Sequence, residues 1–499
     1  MQPVVTADEM RALDAATITE IGIPALTLME TAGRGVAEVA LRMLGARRGH
    51  VAVVCGPGNN GGDGFVIARV LRDRGVDAIA YLAVPRSAVK SDALAHLAIL
   101  EKASGVVRSI ATHAELAEVA GAISAAALAI DALFGIGPLR AIDGHLAEVV
   151  AQINAAPMRL AVDLPSGLDG DTGAVLGAVV QADRTATMGA RKVALVSAPG
   201  FARCGAIDVV DIGIPAGVLA TAVVRAGLVE ESDVVRWLPA PGPLDHKGMR
   251  GHVLVIAGAA EMSGAGRLAA SAALRAGAGL VTLAGDGEVT APDSVMTRSL
   301  SGDLAKVIAG KRAVVIGPGL GTSALADARV HAVLAAGVPA VLDADALNLL
   351  AKDPSVIARA AAPVVITPHP GEAGRLLGID TAAVEADRLA AARKLAAVTR
   401  AVVVLKGART IVVDGTLGDD HCAINPTGGP ALATAGSGDV LAGTIGALIA
   451  QGLSAGDAAR AGVYVHGRAG EALEAVHGRG AVSSDLPLAI ASAIRQLAR

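Results

Sequence analysis

Two successive trains of short β-branched runs, each run followed by an alanine-rich stretch, set the strongest limit on how this 499-residue chain can fold. In the first train "VAVV" at 51, "AIAYLA" at 78, "ALAIDAL" at 127 and "RLAVDLP" at 159 alternate with stretches of helical composition, a βαβ rhythm. The rhythm breaks at "VVRWLPAPGPLDHKGMRGH" from residue 234, where closely spaced prolines interrupt any regular element. It resumes with "VLVIAGAA" at 253, "LVTLA" at 280, "AVVIGPGLG" at 313, "AVLDAD" at 340, "PVVITPHPGE" at 363 and "AVVVLKGART" at 401. Strands that alternate with helices predict an α/β protein built on parallel sheets. Two modules in tandem are expected, a Rossmann-like one over residues 1–222 and a second over residues 223–499. They share a rhythm but no motif, so an internal duplication is not supported.

Composition fixes what the cores are made of. With 53% hydrophobic but only 1% aromatic residues, they must be built from Ala, Val, Leu and Ile, which suit strands packed closely against alanine-faced helices. The 43 basic and 47 acidic residues are dispersed, so no basic stripe offers a surface for nucleic acid or an anionic membrane. Cys55, Cys204 and Cys422 are too few and too scattered for a disulfide framework or a zinc knuckle, which points to a reducing compartment. The opening "MQPVVTADEMRALDAA" places Asp8, Glu9 and Asp14 where a secretory signal needs a basic head and an apolar core, so a cytoplasmic location is expected. The uncharged run Val440 to Gly456 is interrupted by glycines and falls short of the ~20 apolar residues of a membrane span. It is expected to be a buried core helix.

The polar residues that break the apolar rhythm carry the functional reading. In "VAVVCGPGNNGGDGF", Gly56, Gly58 and Gly61 show G-x-G-x-x-G spacing directly after a strand, which alone is a weak signal. A dehydrogenase fingerprint would place an acidic residue at the end of the next strand, whereas Asp77 stands at its start. The loop instead carries Asn59, Asn60 and Asp63, and its glycines would let amides approach a phosphate at the following helix. Further on, "IDALFGIGPLR" presents Asp131 and "VDLPSGLDGDTG" presents Asp163 and Ser166. Ligands of open parallel sheets sit at the carboxyl ends of strands, so these loops should converge on one cleft. Asn60, Asp131 and Ser166 together offer hard oxygen ligands for an alkali or alkaline-earth cation. Any one of the carboxylates could equally cap a helix.

"GPGNNGGDGF", "DALFGIG" and "DLPSGLDGDTG", in this order over nearly all of residues 1–222, resemble the NAD(P)H-hydrate epimerase domain. The resemblance implies interconversion of the R and S hydrates at C6 of the dihydronicotinamide ring. It further implies that Asn59, Asn60, Gly61, Gly62 and Asp63, with Gly135, Ile136 and Gly137, bind the hydrated dinucleotide, that Asn60, Asp131 and Ser166 hold potassium, and that Asp163 contacts the substrate. C6 is a hemiaminal carbon whose hydroxyl leaves with help from the ring nitrogen, so one carboxylate acting as acid and base would suffice. Asp163 is the candidate.

In the second module, "TAGSGDV" lets Ala435 to Gly438 expose successive backbone N–H groups at the start of a helix running from about Asp439. An aspartate beside an anion hole suits a base that activates a hydroxyl for attack on a phosphoryl group. It also suits a helix-start aspartate stabilised by the dipole. The arrangement resembles the ribokinase-like superfamily, and on this motif alone a sugar or vitamin kinase stays open. The ordered set "HKGMRGHVLVIAG", "ALRAGAGLVTLA", "GPGLG", "DADALN", "PHPGE", "LKGART" and "NPTGGPALATAGSGDVLAG" is similar to the ADP-dependent NAD(P)H-hydrate dehydratases. That resemblance implies that Ala265, Gly321 and His369 contact the hydrate. It also implies that Lys406, Gly407, Ala408, Arg409 and Thr410 line the nucleotide, Gly438 touches its phosphate, and Asp439 reaches the substrate. Next to Ala265 the chain has Gly266 where alanine is expected. By this reading Asp439 deprotonates the C6 hydroxyl, the β-phosphoryl group of ADP transfers to it, and elimination releases phosphate, AMP and NAD(P)H, with Mg2+ assisting. The expected partners are hydrated NADH or NADPH and ADP, in a homo-oligomer. Two rival readings are a small-molecule kinase fused to a regulatory module and a first module that binds without catalysis.

Overall fold

The computed structural model describes every residue except 138–140, 241, 260–261, 287–288, 419 and 499. The chain forms two compact units, one of Pro3–Val224 and one made of Arg225–Arg499 together with Met1–Gln2. Both are α/β units with parallel strands, as the alternating rhythm predicts.

In the unit Pro3–Val224 seven strands lie in the order Val106–Ser109, Ala78–Leu82, Val51–Cys55, Leu128–Ala132, Arg159–Val162, Arg184–Met188 and Ala206–Val210. All six neighbouring pairs are parallel. The chain leaves Val51–Cys55 toward one edge and returns on its other side at Leu128–Ala132, so the strand order reverses between these two. Such a switch point opens a crevice at the carboxyl ends of the strands. Both strands are wholly buried, which suits their continuous apolar runs. The segments Val106–Ser109, Arg184–Met188 and Ala206–Val210 carry too much polar or exposed character to read as strands from sequence.

Asn59 to Asp63, expected in a loop, form instead the first turn of the helix Asn59–Asp73, behind Gly58 as N-cap. Glycine makes this early start possible, since a Cβ on Gly61 would lie 2.0 Å from the Gly56 carbonyl oxygen. Asn60 and Asp63 are thereby held rigidly against the strand end.

In the other unit seven parallel strands run in the order Met296–Ser299, Leu280–Gly285, His252–Ile256, Ala313–Ile316, Ala340–Leu342, Val364–Ile366 and Val402–Leu405. Ile411–Asp414 and Cys422–Ile424 continue it antiparallel, and Ala226–Leu228 pairs parallel with the last. The helix Ser437–Ala450 starts two residues before Asp439, because Gly436 turns the chain at φ +89°. All its residues but Gly438 and Asp439 are buried, so Val440 to Ala450 is the core helix its sequence suggests, while the rest of the expected run, to Gly456, is a turn and the start of the helix Ala455–His477. Among the described residues no helix is long and apolar enough to cross a membrane.

That helix packs against Ser263–Arg275, whose Ala269, Ala270, Ala272 and Ala273 are buried. The backbones approach so closely that a Cβ on Gly443 would stand 2.0 Å from the Ala269 carbonyl oxygen. Gly443→Ala gains up to about 1 kcal/mol in helix propensity, but the helices must part, at a cost of about 1 to 3 kcal/mol. Net destabilisation is expected, read as a lower denaturation midpoint for this unit.

Candidate active sites

The crevice of the unit Pro3–Val224 is a cavity of about 740 Å3 lined by Asn59, Asn60, Asp63, Gly135, Ile136, Gly137 and Asp163 among others. Asp131, next to last in its strand, is wholly buried. It accepts hydrogen bonds from the Ser166 hydroxyl at 2.7 Å, the Ser166 N–H at 2.8 Å and the Leu133 N–H at 3.2 Å. Burial pushes its carboxyl up to about 6 in spite of these three neutral donors. The Ser166 hydroxyl in turn accepts from the Phe134 N–H at 3.0 Å. Asn60 reaches the next residue of the same loop, since a Cβ on Gly135 would lie 3.4 Å from Asn60 Oδ1. Its Nδ2 is buried with no hydrogen-bond partner among the described residues. Asn60, Asp131 and Ser166 therefore converge on the loop that follows Ala132.

Asp163 sits at φ +68°, a costly conformation for a residue with a side chain. Its Oδ1 is held by Lys192 Nζ at 2.6 Å and Thr187 Oγ1 at 3.1 Å. Its Oδ2 faces Gly135, where a Cβ would stand 3.0 Å away. Lys192 is 1% exposed and also donates to the Met188 carbonyl at 2.8 Å. Two further carboxylates share the cavity. Burial raises Asp14 to about 6, with Lys192 acting against it and Asp163 adding to it. Burial, then the charges of Asp163 and Asp14, push Asp63 well above the carboxylate range. Lys192 and Asp14 escaped the sequence reading. Asp14 has a signal, being four residues after Met10 and three before Thr17, both on the buried face of their helix. Lys192 in "MGARKVAL" has none.

In the second unit the groups collect at the carboxyl ends of adjacent strands. Lys406, after Val402–Leu405, donates to Asp343 Oδ1 at 2.7 Å and lies 3.8 Å from Glu372 Oε2. Burial pulls Lys406 down, but the charges of Asp343 and Glu372 outweigh it and hold it above its ordinary value. Thr367 Oγ1 donates to the same Asp343 oxygen at 2.8 Å. A Cβ on Gly438 would lie 3.2 Å from Lys406 Nζ and 3.6 Å from Asp343 Oδ2, which places the helix start over this pair. Burial raises the Asp439 carboxyl to about 7, with Asp343 and Asp345 adding to the rise and Lys406 opposing it. The loop is braced from below by His466, buried and lowered by burial to about 4, whose Nε2 lies 3.0 Å from the Ser437 carbonyl.

His369 caps the helix Pro370–Leu377, its Nδ1 accepting from the N–H groups of Gly371 at 3.0 Å and Glu372 at 3.3 Å. With Nδ1 occupied as an acceptor, the half-exposed ring presents Nε2–H. Gly321, at φ +76°, donates its N–H to Asp345 at 2.8 Å. Ala265 packs beside Gly319 of the "GPGLG" turn. The strip Lys406 to Thr410 is shaped by Arg388, which donates to the carbonyls of Ala408 at 2.5 Å and Lys406 at 3.1 Å. Arg409 turns away to the Pro426 carbonyl at 2.6 Å, and Thr410 bonds Gly407 at 3.0 Å. Asp343, Asp345, Glu372 and Arg388 were not singled out from sequence. The first three are strand-end or post-strand acids, the class that drew attention to Asp131 and Asp163.

Residues 253–493 match the family described as NAD(P)H-hydrate dehydratase, and residues 25–194 match the YjeF-related protein N-terminus family. The chain is 40% identical to the bifunctional NAD(P)H-hydrate repair enzyme Nnr of Moorella thermoacetica, over 96% of this chain and 93% of that protein. Its counterpart of the same name in Salinibacter ruber is 40% identical over 97% and 94%. Among solved structures, an ADP/ATP-dependent NAD(P)H-hydrate dehydratase from Bacillus subtilis, co-crystallised with ATP and Mg2+, is 30% identical. It covers 54% of this chain and 97% of its own, with a TM-score of 0.48.

Proposed function

Because the chain belongs to the family of bifunctional NAD(P)H-hydrate repair enzymes, we propose that the repair is divided between its units. Residues 1–222 interconvert the R and S hydrates, and residues 223–499 dehydrate the S form at the expense of ADP. The observation that carries this reading is Asp439. It and Gly438 are the two residues of the helix that are not fully buried, and the carboxyl stands near 7 beside Lys406 and Asp343.

In the dehydratase the ionised Asp439 takes the proton of the C6 hydroxyl. The freed oxygen attacks the β-phosphorus of ADP and AMP leaves. The C6–O bond then breaks with the ring-nitrogen lone pair, C5 gives up a proton, and NAD(P)H and phosphate remain. N–H groups at the start of the helix Ser437–Ala450 offset phosphoryl charge, with Lys406 nearby. Asp343, Asp345, Glu372 and Asp439 outnumber Lys406, a donor set that suits Mg2+, whose role would be to neutralise the phosphates. His369 Nε2–H, Gly321 and Ala265 contact the hydrate, and Lys406 to Thr410 line the nucleotide. Since the base must be ionised, dehydration should fall as pH drops through about 7. Initial rates with S hydrate and ADP between about pH 6 and 8 check this, and a flat profile would remove Asp439 as the base.

In the epimerase the C6 hydroxyl leaves as water with help from the ring nitrogen, and water returns on either face. Asp163 Oδ2, free while Lys192 and Thr187 hold Oδ1, moves the proton at that oxygen. Asn59 to Asp63 and Gly135 to Gly137 bind the dinucleotide. Asn60, Asp131 and Ser166 suit potassium, because one wholly buried carboxylate with an amide oxygen and a hydroxyl oxygen is a low-charge oxygen set that favours a monovalent ion. Potassium would offset the Asp131 charge beside the bound phosphates.

Separate expression of the two modules tests the division. Residues 1–222 should epimerise without ADP, and residues 223–499 should dehydrate only the S hydrate, followed by the return of dihydronicotinamide absorbance. A folded, soluble first module that does not epimerise would overturn it.

A further inference from the structure

Outside both sites, three metal-ligating side chains meet where the helices His113–Ser124 and Gly144–Ala155 adjoin. His145 and Glu148 are three residues apart and so share a face of their helix. His113 opens the other helix. One ligand atom from each of the three lies within 4.8 Å of the other two. The imidazoles meet edge to face, with centroids 4.9 Å apart.

His145 is the informative residue. Its Nε2 lies 2.7 Å from the Ile110 carbonyl oxygen. A carbonyl only accepts, so Nε2 carries the proton and Nδ1 keeps a bare lone pair. That Nδ1 is buried and has no hydrogen-bond partner among the described residues. A buried, unpaired acceptor is unfavourable unless something fills the place opposite it. An imidazole whose far N–H donates to a backbone carbonyl, fixing ring and tautomer, is the arrangement found behind metal-bound histidines. Beside it, His113 Nδ1 and Glu148 Oε2 are 2.7 Å apart, with side chains 64% and 55% exposed. Solvent ions can reach them.

We propose that His113, His145 and Glu148 form a binding site for a divalent first-row transition ion, zinc being the best chemical match. Two imidazoles and one carboxylate select zinc, cobalt or nickel over magnesium or potassium. Zinc sits about 2.0 to 2.2 Å from such ligands. The exposed His113 and Glu148 side chains therefore swing inward on binding and exchange their mutual hydrogen bond for the ion, while His145 stays fixed. With three protein ligands, water completes the coordination. The helix Gly144–Ala155 also gives Leu146 to the wall of the hydrate cavity, so the ion would staple that wall to the neighbouring helix.

The test uses the full chain, stripped with a chelator and held in excess Mg2+ to mask the acidic groups around Asp439. Titration with Co2+ should give visible bands of nitrogen and oxygen ligation at one ion per chain, and Zn2+ should displace it and raise the melting temperature. His145→Gln and the exposed substitutions His113→Ala and Glu148→Gln should each weaken Zn2+ binding by about tenfold or more and abolish the thermal shift. Asp439→Asn should leave both unchanged. Absence of Co2+ bands in the wild type, or wild-type Zn2+ affinity in His113→Ala and Glu148→Gln, overturns the site. The two exposed substitutions keep the test decisive should His145→Gln fold poorly.

Discussion

Asp439→Asn is expected to abolish dehydration while leaving folding and nucleotide binding nearly intact, because the amide keeps the size of the side chain and loses the base. Retention of more than about a tenth of wild-type turnover, a barrier change below roughly 1.4 kcal/mol, would sink the general-base role. A second readout separates chemistry from damage. The carboxyl stands near 7 in the fold against an ordinary 3.8, so it is harder to ionise folded than unfolded. It then costs nothing below about 3.8, an increasing amount as pH rises toward 7, and the full amount above that. Asp439→Asn should therefore raise the melting temperature, most clearly above about pH 7, as activity disappears. Loss of activity together with a lower melting temperature would mean that the substitution had broken the helix start. A kinase reading predicts the same loss but a different wild-type product, a stable phosphorylated alcohol in place of AMP and free phosphate.

The strand rhythm was legible because both sheets are parallel and their central strands are buried on two faces, which leaves continuous apolar runs such as "VAVV" and "AVVVL". Strands that break this rule were not. Ala206–Val210 lies at a sheet edge and is mostly part-exposed, while the hairpin Ile411–Asp414 and Cys422–Ile424 is antiparallel within a parallel pattern. Site residues at the carboxyl ends of strands were legible for the same topological reason, with Asp131 and Asp163 each closing an apolar run, and Asp439 stood out as the acid that opens one at the start of a helix. What sequence could not supply is pairing across the sheet. Nothing near Lys192 announces that its ammonium is buried against Asp163, 29 positions away. Nor does anything near Lys406 announce Asp343, 63 positions away. Those partners hold one oxygen of each carboxylate, so they decide which oxygen is left free to act.

The Lys192 contact also decides how the epimerase must be tested. Asp131→Ala should weaken substrate binding and remove the potassium dependence of epimerisation, since Asp131 is the one charged group among Asn60, Asp131 and Ser166. Asp163 should behave differently, losing turnover while the potassium dependence persists, because an acid and base acts at the reacting carbon. Asp163→Ala, however, strands a lysine that is 1% exposed, and breaking a buried pair costs about 3 to 5 kcal/mol. A dead Asp163→Ala could thus be an unfolded one. Asp163→Asn keeps an acceptor for Lys192 and Thr187 while removing proton transfer and the charge opposite the ammonium, and the double variant Asp163→Asn/Lys192→Met also removes the stranded charge. If Asp163 moves the proton, both variants should fold, retain potassium-responsive substrate binding and lose epimerisation. Both, like Asp131→Ala, should dehydrate pure S hydrate at the normal rate, their lesions lying in the other unit. The measurement is R hydrate conversion against potassium concentration, coupled to excess isolated second module with ADP. Normal epimerisation by Asp163→Asn would move the proton-transfer role to Asp63, whose carboxyl burial and the charges of Asp163 and Asp14 push well above its ordinary value. Full potassium activation in Asp131→Ala would remove that residue from the cation site.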